Sequence, residues 1–197
     1  MVISEAAVIL GAGTAVLAII FGVRLAARAL ADGGEASATV ETSPPDVAGV
    51  IALPPLIFLG SLVTATVLEV VVPLPVLAAH AIARYLAGAA LAACGFVIIG
   101  MGMRRLVTAG TNIPPSLPTT ALVVDGIYGR TRNPLYLGTT LVYVGLAVAA
   151  GSLWAIILMV PLLWVINVGV IAREERYLER KFGDAYRAYK GRVRRWV

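Results

Sequence analysis

The sequence predicts an all-α fold, a polytopic membrane bundle of about five transmembrane helices with C-terminal interfacial helices. The first observation is composition, because 59% of the 197 residues are hydrophobic and only 14% are charged. Soluble domains have about 45–50% apolar and about 25% charged residues. The second is hydropathy, which has a mean of +0.90 over the chain. The apolar residues are concentrated in stretches close in length to the roughly 20 residues that one helical span requires. The chain is therefore predicted to be an integral membrane protein.

The apolar stretches that define the predicted spans are residues 6–30, 47–72, 82–103, 134–150 and 152–172. The first lacks preceding basic residues, so we predict a retained span rather than a cleaved signal peptide. Pro54 and Pro55 are expected to bend or break the second span unless neighbouring helices satisfy the freed backbone groups. Only a tight turn separates the last two spans, which predicts an antiparallel hairpin. Residues 32–46 are turn-rich and acidic, and they predict an exposed loop.

Positive charge is distributed unevenly along the chain. With five spans, the first loop, the third loop and the C-terminal tail share one side, which carries 15 of the 16 lysines and arginines. The positive-inside rule predicts that this side is cytoplasmic and that the N-terminus lies outside. The Ala-, Val-, Gly- and Arg-rich composition favours a bacterial source and therefore the bacterial cytoplasmic membrane. Topology accounts for the net charge of +5, so no nucleic-acid partner is predicted.

We expect two regions, an N-terminal three-span region at residues 1–103 and a C-terminal region at residues 104–197 that holds the loop, the hairpin and the tail. The single cysteine excludes an intrachain disulfide and a cysteine-cluster metal site. The single histidine, His80, has no acidic or histidine neighbours in sequence, so no metal is predicted. Glu69 lies within a turn of the outer boundary and is expected to reach the interface or to pair with Arg84.

A polar hinge, GRTRNPLYLG at residues 129–138, directly precedes the fourth predicted span. Pro134 disfavours a helical Asn133 and suits the first turn of the helix that follows. The free amides at this helix start, together with the two hinge arginines, could receive an anionic ligand group. The arginines equally fit ordinary membrane anchors, and Tyr136 fits an interfacial aromatic residue. The residues of the hinge alone leave both interpretations open.

Two adjacent acids, Glu174 and Glu175, follow the last predicted span at its cytoplasmic end. Asn167 lies seven residues before Glu174, so the two side chains share a face if the helix is continuous. A polar stripe of this kind usually faces a bundle interior or a cavity. The C-terminal region of a helix favours positive charge, so carboxylates there suit a cationic ligand. For Glu175, a surface pair with the neighbouring arginines is an equal alternative.

The tail carries an apolar and aromatic stripe opposite its basic residues, formed by Leu178, Phe182, Tyr186, Tyr189 and Val193. Such a stripe lies in the membrane interface or packs over the bundle, and in either place it could cap a cytoplasm-facing pocket. Gly183 followed by Asp184 predicts the end of one helix and the start of another. The tail is therefore expected to form two short helices.

Three motifs follow one another over residues 113–193: the hinge segment RNPLYLG, the glutamate pair of REERYLERKFG and the tail run FGDAYRAY. In this order and spacing they resemble the superfamily of isoprenylcysteine carboxyl methyltransferases and phospholipid methyltransferases. Members of that superfamily are integral membrane enzymes that use S-adenosylmethionine. Each motif is weak alone and the combination is specific, whereas the first two spans show no such match. The resemblance implies that residues 104–197 form the catalytic methyltransferase region.

The resemblance implies a cofactor pocket on the cytoplasmic side, made by the segment before the hinge, the hinge itself and the glutamates. Glu174 and Arg173 are the implied catalytic residues, and a lipophilic acceptor would enter from the bilayer. A sulfonium cation with an attached carboxylate and adenine needs an acid, a cationic or amide-rich end and an aromatic slot, which these segments offer. The implied cofactor-binding residues are Thr120, Ala121, Leu122, Val123, Tyr128, Asn133, Pro134, Leu135, Tyr136, Glu174 and Glu175.

The chain departs from the superfamily pattern at the positions that concern the acceptor. Members that methylate a prenylcysteine carboxylate carry an arginine one turn before the first glutamate, where this chain has Val170, and Arg173 lies on another face. A glutamine found in some members is Ile113 here, and Asn133 replaces the histidine of eukaryotic carboxyl methyltransferases. The cofactor is therefore better implied than the acceptor. A prenylcysteine-like carboxylate, a lipid amine and another small hydrophobic molecule all remain open.

Two other functions are compatible with the sequence. Membrane sterol reductases share a similar hinge and tail and use NADPH, although they are longer and the glutamate pair favours the methyl donor. A non-enzymatic lipid-binding scaffold that retains the fold is the other alternative, and it predicts that Asn133, Tyr136 and Glu174 can be changed without loss of any ligand. Binding of one cofactor and not the other distinguishes the two enzyme classes.

Overall fold

The computed structural model describes residues 4–32, 46–75 and 80–197, and this part of the chain is helical without strands. The helices are α1 (Glu5–Asp32), α2 (Pro54–Val71), α3 (Ala81–Thr108), α4 (Pro134–Ala150), α5 (Leu153–Val165) and α6 (Ala172–Arg192). A 3₁₀ turn (Gly126–Gly129) precedes α4, and a π-helical segment (Ile166–Ile171) joins α5 to α6. The predicted all-α class is confirmed. Most of the predicted acidic loop lies outside the described residues.

Three helices within the described residues are long and apolar enough to cross a membrane: α2, α3 and the helical run from Leu153 to Arg192 that joins α5, the π-helical segment and α6. Glu5–Ile19 and Pro134–Ala150 are shorter apolar helices. Large hydrophobic side chains on these helices point outwards, with Ile82 73%, Val160 71% and Trp164 67% exposed. Apolar surface of this kind is stable against lipid and costly in water. The protein is thus an integral membrane protein, and the count of five spans stays a prediction.

The proline pair marks the start of α2 and not a bend within it. Pro54 and Pro55 occupy the first turn of the helix, where a missing N–H costs no hydrogen bond. The predicted second span was therefore wrong at its beginning, since residues 46–53 are not helical. This segment lies against the π-helical segment, where the Ile51 amide donates to the Gly169 carbonyl at 3.3 Å. In α6, the predicted break is confirmed by the non-helical backbone of Gly183 (φ 54°, ψ −125°).

The closest helix pair is α3 and α4, which approach through glycines spaced by seven residues. A Cβ atom on Gly88 would lie 2.5 Å from the Gly145 carbonyl oxygen, and one on Gly95 would lie 2.5 Å from that of Gly138. Small residues of this kind let two helix backbones pack directly in a membrane. The contact fixes α4, and hence the hinge before it, against α3. The division between residues 1–103 and 104–197 stays a prediction, and α3 packs across it.

The opposite end of the bundle holds a buried polar cluster. Glu69, expected to reach the interface or to pair with Arg84, is only 3% exposed and accepts a hydrogen bond from the Ser152 hydroxyl. Arg84 donates instead to the Ala150 carbonyl at 3.1 Å and lies 3.7 Å from a carboxylate oxygen of Glu5. These contacts connect α1, α2 and α3 to the turn of the α4–α5 hairpin. They give Glu69 and the terminal guanidinium nitrogens of Arg84 polar partners in an apolar surrounding, whereas Arg84 Nε is buried without one among the described residues.

Candidate functional site

A cavity of about 120 Å³ lies where the loop after α3, the hinge and α6 meet. The loop contributes residues 112–115, 119 and 121–123, and the 3₁₀ turn contributes Tyr128. The hinge contributes residues 132–136, and α6 contributes Glu174 and Glu175 with a set of tyrosines. The non-helical segment before α2 reaches the same cavity through Ala48. Segments far apart in sequence therefore build one partly open site with polar and aromatic side chains.

The hinge has the geometry that its proline predicts. Asn133 has φ −129° and ψ 54°, outside the helical region, and Pro134 opens α4. The Asn133 side chain does not cap the helix, since its amide nitrogen donates to the Arg195 carbonyl at 2.9 Å. Its backbone amide donates to the Thr131 hydroxyl at 3.2 Å. Contacts with residues near the C-terminus therefore set the position of Asn133 at the cavity rim.

Glu174 is the acid that faces the cavity. Its carboxylate accepts a hydrogen bond from the Tyr136 hydroxyl at 2.6 Å, which joins α4 to α6. Burial raises the pKa of Glu174 to about 7, the Tyr136 hydrogen bond opposes this shift and the charge of Glu175 adds to it. The group retains accessible surface because it lines the cavity. A carboxylate that titrates near neutrality beside a neutral phenol can bind a cation or exchange a proton.

Glu175 is in a different electrostatic environment although it is the next residue. It is 6% exposed and pairs with Arg132 at 2.9 Å and with Arg195 at 2.6 Å. A second bond, from Arg195 Nε at 3.0 Å, makes the contact with Arg195 bidentate. Two guanidinium groups thus compensate one buried carboxylate, as a buried charge requires. Both adjacent glutamates line the cavity, but they differ in their partners: Glu175 is paired with two arginines and Glu174 with the Tyr136 hydroxyl.

The aromatic wall of the cavity comes from Tyr128, Tyr186 and Tyr189. The Tyr189 hydroxyl donates to the Tyr128 carbonyl at 2.7 Å, and the rings of Tyr186 and Tyr189 pack edge to face with centroids 6.0 Å apart. Burial, the largest cause, raises the pKa of Tyr128 above its ordinary range and that of Tyr189 to about 12. These phenols stay neutral at physiological pH. Of the predicted tail stripe, Leu178, Tyr186 and Tyr189 line the cavity, whereas Phe182 and Val193 do not.

The π-helical segment changes the register between α5 and α6. Because an i→i+5 turn adds one residue to an α-helical turn, Asn167 and Glu174 do not share the face expected of a continuous helix. Asn167 lies outside the cavity lining, where its side-chain oxygen accepts from Trp196 Nε1 at 3.2 Å and its nitrogen donates to the Leu163 carbonyl at 2.9 Å. The predicted polar stripe was therefore wrong at Asn167.

Most of the predicted site residues lie together on the cavity wall, and two do not. Thr120 points away from the cavity, and its hydroxyl and amide hold the loop through Gly110 and Thr111. Arg173 is exposed and donates to the Gly49 carbonyl at 2.9 Å. Those on the wall are Ala121, Leu122, Val123, Tyr128, Asn133, Pro134, Leu135, Tyr136, Glu174 and Glu175. Their roles stay predictions.

Sequence reasoning missed several residues of the site. Tyr177 holds the loop by accepting a hydrogen bond from the Thr119 amide at 3.0 Å, and its own hydroxyl donates to Asp46. Arg195 approaches Glu175 from 20 residues further along the chain. No local pattern marks these contacts, since only the folded chain brings the segments together. Across the described residues, no group of three histidines, cysteines or acids is placed to hold a metal ion.

The fold and the cavity define an all-helical integral membrane protein with a small polar and aromatic site at the helix ends. Residues 83–185 match the family model described as phospholipid methyltransferase, which is just over half of the chain. The chain belongs to the phospholipid methyltransferase family. The resemblance inferred from the hinge, the glutamate pair and the tail is thereby confirmed.

Two known proteins are similar in sequence to parts of this chain. A Protein-S-isoprenylcysteine O-methyltransferase of Schizosaccharomyces pombe is 32% identical over 108 residues, 51% of this chain and 46% of that enzyme. The chain thus spans less than half of the yeast enzyme's length. An uncharacterized protein of Haemophilus influenzae is 44% identical over 63 residues, 32% of this chain and the whole of that protein. No solved structure gives a significant match.

Proposed function

We propose that the protein is a membrane methyltransferase that binds S-adenosylmethionine in the cavity and methylates a lipophilic acceptor. The observation that carries the proposal is Glu174, a cavity-facing acid whose hydrogen-bond partner is the neutral Tyr136 hydroxyl. Such an acid attracts the sulfonium and ammonium charges of the cofactor more strongly than one already paired with arginine. Family membership and the yeast relative support the same reaction.

The opposite charge of the cofactor has a partner in Arg132. The Nε atom of this arginine is buried and has no hydrogen-bond partner within the part of the chain that the structure describes. Arg132 lines the cavity, so the cofactor carboxylate could supply the missing acceptor. The aromatic wall formed by Tyr128 and Tyr189 offers a face for adenine. The chemistry of the cavity therefore fits each part of S-adenosylmethionine.

Bound S-adenosylmethionine would supply a methyl group by in-line displacement, in which the acceptor–methyl bond forms as the methyl–sulfur bond breaks and a thioether is left. The residues of this chain would align the reactants and exclude water. A carboxylate acceptor needs no base, whereas an amine or phenol must lose a proton. Glu174, whose raised pKa of about 7 suits a general base, would take that proton. Arg173, implied as catalytic by the resemblance, would act only if it moved from its contact with Gly49.

A second, apolar cavity supports a lipophilic acceptor. It has a volume of about 170 Å³ and is lined by side chains such as Leu17, Phe58 and Phe96 from α1, α2 and α3. Residues 134–136 in the first turn of α4 line the first cavity, and residues 139, 142 and 143 of the same helix line the second. The two cavities thus occupy successive turns of one helix. We propose that the polar end of the acceptor lies by Tyr136 and its apolar part extends towards Val142.

The proposal includes the orientation of the protein in its membrane. The uneven distribution of lysine and arginine supports a cytoplasmic C-terminus and an outside N-terminus. The cavity would then face the cytoplasm, where S-adenosylmethionine is made. A bacterial cytoplasmic membrane remains the proposed location.

Calorimetric titration of the detergent-purified protein with S-adenosylmethionine tests the proposed cofactor, with NADPH as the control ligand. We expect saturable binding of S-adenosylmethionine and no binding of NADPH. Binding of NADPH alone would favour the reductase alternative. If well-folded protein bound neither nucleotide, the enzyme proposal would be wrong and the scaffold alternative would be favoured.

The affinity for S-adenosylmethionine is expected to fall as the pH decreases from 8 to 6. Because the pKa of Glu174 is raised to about 7, roughly nine tenths of it is ionised at pH 8 and roughly one tenth at pH 6, which predicts about a tenfold weaker binding at pH 6. Calorimetry across this range measures the effect. An affinity constant over the whole range would contradict a role for Glu174 in binding the cation.

The stability of the ligand-free protein is expected to change with pH in the same range. The folded state holds the Glu174 proton more tightly than the unfolded chain, where the carboxyl has its ordinary pKa of 4.5. This contribution to stability is present below about pH 4.5 and is lost as the pH rises through about 7. Thermal unfolding in detergent at several pH values measures it, and E174Q should remove this component of the pH dependence.

A further inference from the structure

The chain leaves α6 after Arg192 and residues 193–197 run back across the hinge. Val193 is extended (φ −119°, ψ 131°), which ends the helix and turns the chain towards α4. The Arg194 carbonyl accepts from the Arg132 amide at 3.0 Å. The Arg195 carbonyl accepts from the Asn133 side chain at 2.9 Å and from the Thr131 hydroxyl at 3.2 Å. We call residues 193–197 the C-terminal strap.

Side chains also fasten the strap at both ends of the π-helical segment. Arg195 makes its bidentate contact with Glu175, which follows the segment. Trp196 donates to Asn167, which lies within the segment, and it packs against the hydrophobic core. The strap therefore connects the hinge that opens α4 with the helix that carries the glutamate pair. Both elements form the wall of the candidate site.

The charge of Arg195 in the strap makes the electrostatic environment of Glu175 different from that of Glu174. Arg195 and Arg132 both contact Glu175, whereas Glu174 has the Tyr136 hydroxyl as its hydrogen-bond partner. Without Arg195, the negative charge of Glu175 would be compensated by one arginine instead of two, next to the acid that faces the cavity. Like charge at this distance in a buried site disfavours ionisation of the neighbour.

We propose that the C-terminal strap is a positioning element of the site: Arg195, with Arg132, keeps Glu175 fully paired and so leaves Glu174, which is bonded to the Tyr136 hydroxyl, as the acid available to a cationic ligand. This inference rests on the proposed function only in the identity of that ligand. In the proposed reaction the strap touches no reacting atom. It acts through Glu175 and through the hinge residues that it holds.

The groups that surround Glu174 come from each element packed against it. They are Tyr128 of the 3₁₀ turn, Tyr136 of α4, Arg132 of the hinge, and Glu175 and Tyr186 of α6, with Arg195 of the strap behind Glu175. The tyrosines remain neutral near pH 7 because burial raises the pKa of Tyr128 and Tyr186 well above it. Loss of Arg195 therefore acts on Glu174 chiefly through the charge of Glu175.

The variant R195Q tests the proposal through the pH profile of S-adenosylmethionine binding. We expect the midpoint of the profile to move up by about one pH unit and the affinity at pH 7 to fall about fivefold. R195K should restore most of the wild-type profile because it keeps the charge. R192Q is the matched control, since Arg192 lies exposed at the end of α6 and carries the same charge change. A wild-type profile for R195Q would overturn the proposal.

The double variant E175Q/R195Q separates charge compensation from a merely structural effect. If Arg195 acts by neutralising Glu175, removal of both charges should return the midpoint close to that of the wild type. A double variant that keeps the shifted midpoint would contradict the proposal. Should R195Q fail to fold, the single variant E175Q carries the test, because it removes the charge that Arg195 compensates. The midpoint should then fall below that of the wild type, and an unchanged midpoint would overturn the proposal.

A measurement without the cofactor distinguishes failure of this proposal from failure of the proposed function. Infrared difference spectra of ligand-free protein follow the carboxyl band that E174Q removes, and the titration midpoint of that band should rise in R195Q. If the wild type bound no S-adenosylmethionine, the proposed function would fail while this midpoint still tested the strap. An unchanged midpoint would overturn the strap proposal whatever the ligand.

Discussion

E174Q is expected to weaken binding of S-adenosylmethionine about a hundredfold. The substitution keeps the shape of the side chain and removes its charge, so the cofactor's sulfonium and ammonium groups would lose the acid that faces them in the cavity. Charged hydrogen-bonded contacts of this kind contribute about 2–5 kcal/mol to binding when one partner is removed, and about 2.7 kcal/mol corresponds to a hundredfold. Calorimetry with purified protein measures the change in Kd.

The control for this substitution is E179Q on the same helix. Glu179 is half-exposed and pairs with Lys190 at 3.2 Å, away from the cavity. The E179Q substitution removes the same charge as E174Q. We expect it to change the Kd less than twofold, because exposed pairs contribute about 0–1 kcal/mol and Glu179 does not line the cavity. Equal affinities for E174Q and wild-type protein would show that the cation does not meet Glu174. Equal losses in E174Q and E179Q would indicate a nonspecific charge effect.

G95V is expected to destabilise the protein by about 3 kcal/mol and to abolish cofactor binding at ordinary temperatures. The Cβ atom alone would lie 2.5 Å from the Gly138 carbonyl oxygen and 2.9 Å from the Val142 amide nitrogen. These are backbone atoms, so relief requires α3 and α4 to move apart, and overpacking of this kind typically costs about 1–3 kcal/mol or more. Because α4 carries the hinge, its displacement also moves Asn133 and Tyr136.

G100V is the matched control on the same helix. A Cβ atom on Gly100 meets nothing within 4 Å, so the added side chain has open space. Thermal unfolding in detergent should show a clearly lower midpoint for G95V than for G100V, with G100V close to the wild type. Equal midpoints for the two variants would contradict the close α3–α4 contact. Cofactor binding measured below both midpoints then reports whether the hinge has moved.

Some of the site could be predicted from sequence because its signals are local. Pro134 identified the helix start, since a proline ring fits the first turn and disfavours helix in the residue before it. Gly183 identified the break in the tail, where the backbone has a positive φ. The two glutamates were identified by their place at the end of an apolar stretch. In each case the physical cause lies within a few residues of the signal.

Other features depend on contacts that no sequence window contains. The proline pair of α2 was expected to interrupt a span, yet it begins one, because residues 46–53 lie against the π-helical segment and the cavity instead of continuing the helix. Asn167 was expected beside Glu174, and the π-helical segment rotates the two apart. Periodicity assumes a regular helix, so it cannot detect either departure.

The sequence by itself determined the class of the protein, most of its helix positions and most of the segments that form the site, since hydropathy, proline and glycine act locally along the chain. It also determined the family, through three motifs in a fixed order. The tertiary structure decided how the adjacent glutamates differ: Glu175 is paired with Arg132 and Arg195, and Glu174 faces the cavity beside Tyr136. Charge and burial of neighbours distant in sequence set these environments, and only folding brings those neighbours together.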